Sequence, residues 1–99
     1  MDNIEKKEIM RVLSECLAAQ REVRKIVVFG SFLRDVEPHD MDVAVFQDSN
    51  EGYLPLALRY RRAARVVSRR IPLDILPLRA GAQGAFLDEI STGKVIYER

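Results

Sequence analysis

The chain has 99 residues, of which 47% are hydrophobic and 31% charged, and its formal net charge is +1. This length predicts one domain, residues 1–99, with a single core and no separate substrate domain. The balanced charge excludes a strong overall attraction to nucleic acid, and the single cysteine excludes an intramolecular disulfide. No apolar run approaches the ~18 residues of a membrane span and the first residues are charged, so we expect a cytoplasmic protein.

The first predicted element is an amphipathic helix. Asp2 and Glu5 resemble a capping box, which predicts that the helix begins there, and it should extend to about Arg21. Because nothing nearby in the sequence would lower the pKa of Cys16, we expect it to be a small buried side chain of the core. The mostly apolar stripe of this helix consists of Ile9, Leu13, Cys16, Leu17 and Gln20.

Two apolar segments rich in β-branched residues predict buried strands over residues 25–29 and 41–47. The first ends abruptly in Gly30 and Ser31, where a short helical turn should begin. Glycine lets a backbone approach a ligand closely, and free N–H groups at the start of a helix attract phosphate. This turn is therefore a candidate phosphate cradle.

Two carboxylates, Asp40 and Asp42, stand at the start of the second strand, after an eight-residue spacer that follows Ser31. In an extended strand they project to the same side, with Cα atoms roughly 6.5 Å apart. Such a pair is repulsive unless a cation lies between the carboxylates, and hard divalent ions such as Mg²⁺ prefer these ligands. A phosphate cradle beside this pair indicates phosphoryl or nucleotidyl transfer. The simpler alternative is two ordinary strand-edge residues after a turn.

The remaining segments predict a helix over residues 53–70, a strand over 72–76, a helix over 82–91 and a last strand over 94–97. This alternation is typical of an α/β fold. Asp74 lies in an apolar run, where burying an unpaired carboxylate would be costly. It is therefore either a further metal ligand or the partner of a nearby arginine.

In combination and order, these residues resemble the motifs of the minimal nucleotidyltransferases, the small members of the DNA-polymerase-β-like superfamily. The resemblance extends from about Lys25 to Tyr97. The chain departs from the usual pattern in its shorter spacer and in Asp35, which stands where the family often has glycine. The motif residues are Gly30-Ser31, Arg34, Asp40-Met41-Asp42 and Asp74 within Pro72-Leu73-Asp74-Ile75.

The resemblance implies the polymerase-β-like nucleotidyltransferase fold, a small mixed β-sheet with flanking helices. It also implies a metal-dependent reaction that uses two Mg²⁺ ions, with Mn²⁺ as an alternative. Asp40 and Asp42 would bridge both ions. Asp74 would complete the ion that activates the acceptor hydroxyl, and all three aspartates would be catalytic.

The nucleotide-binding residues implied by the resemblance are Gly30, Ser31 and Arg34. The first two would hold the terminal phosphates of a nucleoside triphosphate, expected to be ATP. Arg34, one turn into the short helix, would neutralise phosphate charge or would pair with Asp35 or Glu37. The reaction would be attack on the α-phosphate with pyrophosphate as the leaving group.

The resemblance further implies a protein partner. Minimal nucleotidyltransferases are often encoded with a HEPN-type protein, an RNase toxin that they neutralise, in some cases by transferring AMP to a tyrosine. The alternative is a non-catalytic binding module that neutralises its partner by contact. Transfer to a small molecule occurs in the aminoglycoside-modifying relatives, which carry an added domain. The sequence is also compatible with a homo-oligomer.

The predicted helix over residues 53–70 is rich in arginine and admits three interpretations. It is a solvated face, a docking surface for an acidic or helical partner protein, or a nucleic-acid surface. The last is least favoured, because the face lacks the aromatic stacking platforms of single-strand binding proteins. Its arginines are Arg59, Arg61, Arg62, Arg65, Arg69 and Arg70.

Overall fold

A computed structural model describes residues 1–82, 84 and 86–99. Helical and strand segments alternate along these residues, with a single-turn helix between the first two strands and two consecutive helices between the second and third. The elements are α1 (Asn3–Ala18), β1 (Val23–Phe29), α2 (Ser31–Arg34), β2 (Met41–Gln47), α3 (Tyr53–Ala63), α4 (Arg65–Ser68), β3 (Leu73–Arg79), α5 (Phe86–Ser91) and β4 (Lys94–Glu98).

The strands form one sheet in the order β3-β2-β1-β4. β1 pairs antiparallel with β2 and with β4, whereas β2 and β3 run parallel. A parallel pair needs a crossover connection, and the α3–α4 segment supplies it by returning the chain from the end of β2 to the start of β3. The predicted α/β fold with a small mixed sheet and flanking helices is thereby confirmed.

One face of the sheet packs against α1, α3 and α4 and forms the main core. Alternate side chains of a strand point to the same face, and in β2 this set is Met41, Val43 and Val45, all fully buried. Tyr60 of α3 joins them and is also fully buried. The apolar stripe of the arginine-rich segment therefore faces inward, as its spacing predicts.

The opposite face, which we call the second face, carries the intervening β2 residues Asp42, Ala44 and Phe46. Ile90 of α5 is buried here, so this short helix covers the middle of the second face. Asp42 lies at the end of the face, beyond the apolar cluster. The buried members of that cluster are Val27, Phe29, Ala44, Phe46 and Ile90.

Both ends of α1 have identifiable causes. The Asp2 side chain accepts a hydrogen bond from the Glu5 backbone N–H at 2.8 Å, which confirms the predicted start. The helix ends at Ala18 instead of Arg21. The guanidinium of Arg99 donates to the carbonyl oxygen of Ala18, an acceptor that the helix end leaves open, and to that of Arg21 in the following turn. A contact from the far end of the chain thus closes α1.

Three strands are longer than predicted, β4 by only one residue, Glu98. β1 begins at Val23 instead of Lys25, because Val23 is fully buried although a charged residue follows it. β3 begins at Leu73 and continues through Pro77 to Arg79, beyond the predicted end at residue 76. Proline is tolerated there because β3 is an edge strand of the sheet.

Two helix predictions are also corrected. The segment over residues 53–70 is divided by Ala64, whose φ of −102° and ψ of 21° interrupt the helix between α3 and α4. The last helix begins at Phe86, and Ala82 is not helical. Residues 83 and 85 of the predicted span lie outside the described residues. Among the helices that the structure describes, none is long and apolar enough to cross a membrane.

Cys16 is half-buried at the margin of the main core rather than fully buried. Burial raises the pKa of its thiol, and the charge of Glu15 raises it further. The thiolate is therefore disfavoured, in agreement with an unreactive packing role.

Candidate active site

Two of the three predicted catalytic aspartates are neighbours at one end of the second face, which we call the acidic end. Asp42 of β2 is in register with Asp74 of β3. Neighbouring strands lie ~4.8 Å apart, and both residues occupy positions that alternate with main-core residues. The parallel pairing therefore places two carboxylates side by side that are far apart in the sequence.

Asp40 is the third acid of this end. It precedes β2 and is exposed. The Ser31 hydroxyl donates to its Oδ1 over 3.5 Å, which is a long hydrogen bond. The phosphate-cradle turn and the first acid of the motif are therefore in contact despite the short spacer between them.

Asp42 experiences the charges of all the acids around it. Partial burial raises the pKa of its carboxyl, and the charges of Asp40, Asp74 and Glu89 raise it further. Glu89 belongs to α5 and was not predicted as a site residue, because an exposed glutamate in a short helix has no distinguishing pattern in the sequence. The acidic end thus holds a concentration of negative charge that a cation would relieve.

Gly30 forms the wall of the site next to Asp42. Its φ of 79° lies in the region that favours glycine. A Cβ atom at this position would lie 2.7 Å from Oδ2 of Asp42. Glycine is therefore required twice, by the backbone conformation and by the close approach of the carboxylate.

Gly30→Ala is expected to destabilise the protein by about 1–3 kcal/mol, through an unfavourable φ and displacement of Asp42. The measurement is the midpoint of urea unfolding. Gly81→Ala is the matched control, because a Cβ at Gly81 meets nothing within 4 Å and its φ is not positive. Equal effects of the two substitutions would contradict the role assigned to Gly30.

The turn after Gly30 is held in place by α1. The Lys6 side chain is buried, its ammonium donates to the Asp35 carbonyl at 2.5 Å, and it lies 5.7 Å from the centre of the Phe32 ring. The N-terminal ammonium of Met1 pairs with Glu37 in the same loop. Sequence reasoning missed Lys6, although its helical spacing from Ile9, Met10 and Leu13 places it on the buried side of α1.

Arg34 lies at the end of α2 and is exposed. The alternative that it pairs with Asp35 or Glu37 is wrong within the described residues, where Glu37 pairs with Met1 and no ion pair includes Arg34. Its contact with phosphate stays a prediction.

Asp74 is exposed instead of buried in its apolar run. The strand alternation explains the difference, because its neighbours Leu73 and Ile75 face the main core while Asp74 faces the other way. In the part of the chain that the structure describes, no ion pair joins Asp74 to an arginine. The explanation of Asp74 as an arginine's partner is therefore wrong for these residues.

The donor atoms of the acidic end fit a hard divalent cation. Asp40, Asp42 and Asp74 offer carboxylate oxygens, which Mg²⁺ prefers, and Asp42 already carries the repulsion that a cation would remove. As they stand, no three acidic, histidine or cysteine side chains of the described residues converge closely enough to hold an ion. Binding would therefore draw the exposed carboxylates of Asp40 and Asp74 toward Asp42.

Arg59 does not share the exposed arginine-rich face to which its spacing assigns it. It forms ion pairs with Glu22 at 2.9 Å and with Glu51 at 2.6 Å. The Tyr60 hydroxyl also donates to Glu22, at 2.7 Å. These groups tie α3 to the segment before β1, so Arg59 has a structural role that its spacing does not reveal.

The family model for "Polymerase beta, Nucleotidyltransferase" matches residues 11–99 of the chain. This chain belongs to the polymerase-β nucleotidyltransferase family. The match includes all four strands, the Gly30-Ser31 turn and the three aspartates, and it confirms the predicted superfamily. A search of curated proteins found no match. As a nucleotidyltransferase domain, the chain is expected to act on a nucleotide, and the geometry of the acidic end agrees with that chemistry.

Proposed function

We propose that this chain is a metal-dependent enzyme that transfers AMP from ATP to a hydroxyl group on a partner protein. The observation that supports this most is the register of β2 and β3, which sets Asp42 beside Asp74 and next to Gly30. Family membership supports nucleotidyl transfer in general. The metal, the base of the nucleotide and the acceptor are parts of the proposal.

Asp40 and Asp42 would hold two Mg²⁺ ions, or Mn²⁺, with Asp74 completing the set. When bound, such ions stabilise charge on the attacking and leaving oxygens. Partial burial of Asp42 fixes the central carboxylate, whereas the exposed Asp40 and Asp74 can adjust to the ligand. The absence of a side chain at Gly30 leaves room for the Asp42 carboxylate, because a Cβ there would lie 2.7 Å from its Oδ2.

The turn at Gly30 and Ser31 would orient the terminal phosphates, and the exposed guanidinium of Arg34 would neutralise their charge. The acceptor oxygen would attack the α-phosphorus while its proton passes to the Asp74 carboxylate. A new oxygen–phosphorus bond forms, and the bond from the α-phosphorus to its bridging oxygen breaks. Pyrophosphate leaves with the electron pair of that bond.

We further propose that the acceptor lies on a HEPN-type protein and that the pair forms a toxin–antitoxin system. Asp40 and Asp74 are both exposed, so the acidic end is open to a side chain of another protein. A tyrosine hydroxyl on an exposed loop would reach this end without rearrangement of the sheet.

A second candidate function is neutralisation of the same partner by contact alone. The loop that carries the shortened spacer favours it, because the contacts of Lys6 with Asp35 and of Met1 with Glu37 would restrict adjustment of the loop to a nucleotide. The two candidates differ in one observable, which is whether a nucleotide is transferred.

The deciding experiment uses ATP labelled at the α-phosphate and the cognate HEPN-type protein. We expect the chain to place label on its partner, and the Asp40→Asn/Asp42→Asn variant to place none. Labelling by that variant would contradict the roles of the two acids. Neutralisation of the toxin by the variant without labelling would instead support the contact-only function.

A further inference from the structure

The outer side of α3 and α4 carries a surface that catalysis does not use. We call it the basic ridge. Two leucines near the start of the surface are followed by four arginines, and apart from the adjacent Arg61 and Arg62 the successive spacings are three or four residues, so the members follow one side of the helical segment. The members of the basic ridge are Leu54, Leu58, Arg61, Arg62, Arg65 and Arg69.

The arginines of the basic ridge are uncompensated. Among the described residues, ion pairs to carboxylates involve the N-terminal ammonium, Arg11, Arg24 and Arg59, and none includes a ridge arginine. The segments Tyr53–Ala63 and Arg65–Ser68 contain no acidic residue. A chain with a net charge of only +1 therefore concentrates positive charge on this side.

Apolar side chains lie within the same surface. Leu54 is 64% exposed and Leu58 is 48% exposed, at an i, i+4 spacing on the solvent side of α3. Leu58 also lines a shallow cavity of about 380 Å³, whose other walls are Arg61, Arg62, Arg65 and Ser68. Single exposed leucines are ordinary on protein surfaces, but here one leucine lines the same cavity as three arginines that form no ion pair among the described residues.

We propose that the basic ridge binds an acidic amphipathic helix of a partner protein. An apolar side chain of that helix would enter the cavity against Leu58, and its carboxylates would pair with the guanidinium groups of Arg61, Arg62 and Arg65. An amphipathic helix laid along a groove is a recurrent mode of recognition, and complementary charge gives it specificity. The aliphatic character of the ridge favours a protein over single-stranded nucleic acid, which binds to aromatic platforms.

The basic ridge and the acidic end lie on different sides of the molecule. The inner sides of α3 and α4 face the main core through Tyr60 and Val67, whereas Asp42 and Asp74 lie on the second face. A helix docked on the ridge therefore leaves the acids open. The proposed function explains why such docking would be useful, since it would hold the protein that carries the acceptor hydroxyl. The binding itself does not depend on that function.

The test measures binding directly, without ATP or metal. The probe is a fluorescently labelled synthetic helical peptide with leucine on one face and glutamate on the others, titrated while its anisotropy is recorded. We expect salt-sensitive binding that weakens at least 10-fold in Arg62→Glu/Arg65→Glu. Lys7→Glu/Arg21→Glu is the matched control, because both residues are exposed and the change in net charge is the same. The control should retain binding.

The apolar part of the proposal has its own variant. Leu54→Ser/Leu58→Ser leaves every charge in place and should also weaken binding of the peptide. If the attraction depended on charge alone, this variant would bind the peptide as tightly as the wild type. A peptide with the same composition but scrambled leucines should bind more weakly than the amphipathic one. Absence of peptide binding, or equal losses in the ridge and control variants, would overturn the proposal.

A labelled single-stranded oligonucleotide forms the last arm. If the oligonucleotide binds more tightly than the peptide and the same ridge variants abolish its binding, the surface is a nucleic-acid site. The proposal of a protein partner is then wrong. Peptide binding with no transfer of AMP would contradict the proposed function alone. Transfer of AMP with no peptide binding would contradict only the basic ridge.

Discussion

Asp42→Asn is expected to lower nucleotidyl transfer by roughly 10²-fold or more while it stabilises the metal-free protein. The loss follows because the Asp42 carboxylate would hold the cations that stabilise the negatively charged transition state, and deletion of one such stabilising group in other enzymes costs about 10²–10³-fold in rate. The gain follows from the repulsion that Asp42 experiences from Asp40, Asp74 and Glu89 in the folded state. Active-site groups commonly reduce stability in this way.

The pH dependence has a definite sign. The pKa of Asp42 is raised in the folded state above the ordinary value of 3.8, so the folded protein holds the proton more tightly than the unfolded chain. In metal-free buffer, the wild-type protein should therefore lose stability as the pH rises from 3.8 through the folded pKa. The asparagine variant lacks this contribution, and its melting temperature should exceed that of the wild type by a growing margin over that range.

Added Mg²⁺ should reverse the order of the two melting temperatures, so that the wild type melts above Asp42→Asn. An ion that binds only the folded state raises the melting temperature by mass action, and millimolar Mg²⁺ should do so for the wild type but not for Asp42→Asn. Asp88→Asn is the control, since Asp88 is exposed and is not among the charges that act on Asp42. It should respond to Mg²⁺ like the wild type. Equal Mg²⁺ responses of wild type and Asp42→Asn would exclude a metal site at the acidic end.

The strand–turn–strand part of the site could be predicted because its determinants are local. β2 has the predicted bounds, Met41–Gln47, since a run of β-branched and aromatic residues there is bounded by polar residues on both sides. The start of α2 at Ser31 was also predicted correctly, because a glycine with positive φ precedes it. Local conformational preference and hydrophobic periodicity are sufficient for such elements.

The rest of the site depends on contacts between distant segments. The sequence shows that Asp74 is acidic but not that it is exposed, because the side of β3 on which it lies follows from the pairing with β2. Glu89 reaches the acidic end only because α5 lies over the second face. Lys6 contacts Asp35 only because α1 packs beside the turn. Such facts follow from the tertiary arrangement, which periodicity does not encode.

The arginine-rich segment shows the same limit for a single residue. Arg59 and Arg62 are both arginines at a helical spacing of three residues in the same predicted helix. Arg59 nevertheless pairs with Glu22 and Glu51, while Arg62 is exposed. The difference arises because the fold places Arg59 beside Glu22, which precedes β1, and Glu51, which precedes α3. Helical spacing alone therefore overestimated the exposed basic face by one arginine.

Glu22→Ala is expected to cost about 2–3 kcal/mol of the free energy of unfolding, a large effect for the loss of one polar side chain. The Glu22 carboxylate accepts from both Arg59 and Tyr60, and Tyr60 is fully buried. Its loss leaves a buried hydroxyl without an acceptor, and that penalty exceeds the net value of the hydrogen bond itself. The midpoint of urea unfolding at pH 7 measures the change.

Glu51→Ala is the matched control, because Glu51 binds the same arginine from a much more exposed position. The Glu51 side chain is 44% exposed, whereas that of Glu22 is 17% exposed. Exposed ion pairs contribute about 0–1 kcal/mol, so Glu51→Ala should have a small effect. Similar losses in the two variants would show that the burial of Tyr60 is not what makes Glu22 important.

A double substitution separates the two parts of the Glu22 contribution. Tyr60→Phe removes the hydroxyl that Glu22→Ala leaves unsatisfied, so the double variant should be more stable than the sum of the single losses predicts. The pKa of Glu22 provides a further check. Burial alone would raise it, but hydrogen bonds from Tyr60, the backbone and Arg59 outweigh burial and lower it. The stabilisation by Glu22 should therefore be complete above its ordinary value of 4.5 and decline as the pH falls through the lowered one. A difference between wild type and Glu22→Ala that persisted unchanged into strong acid would contradict this account.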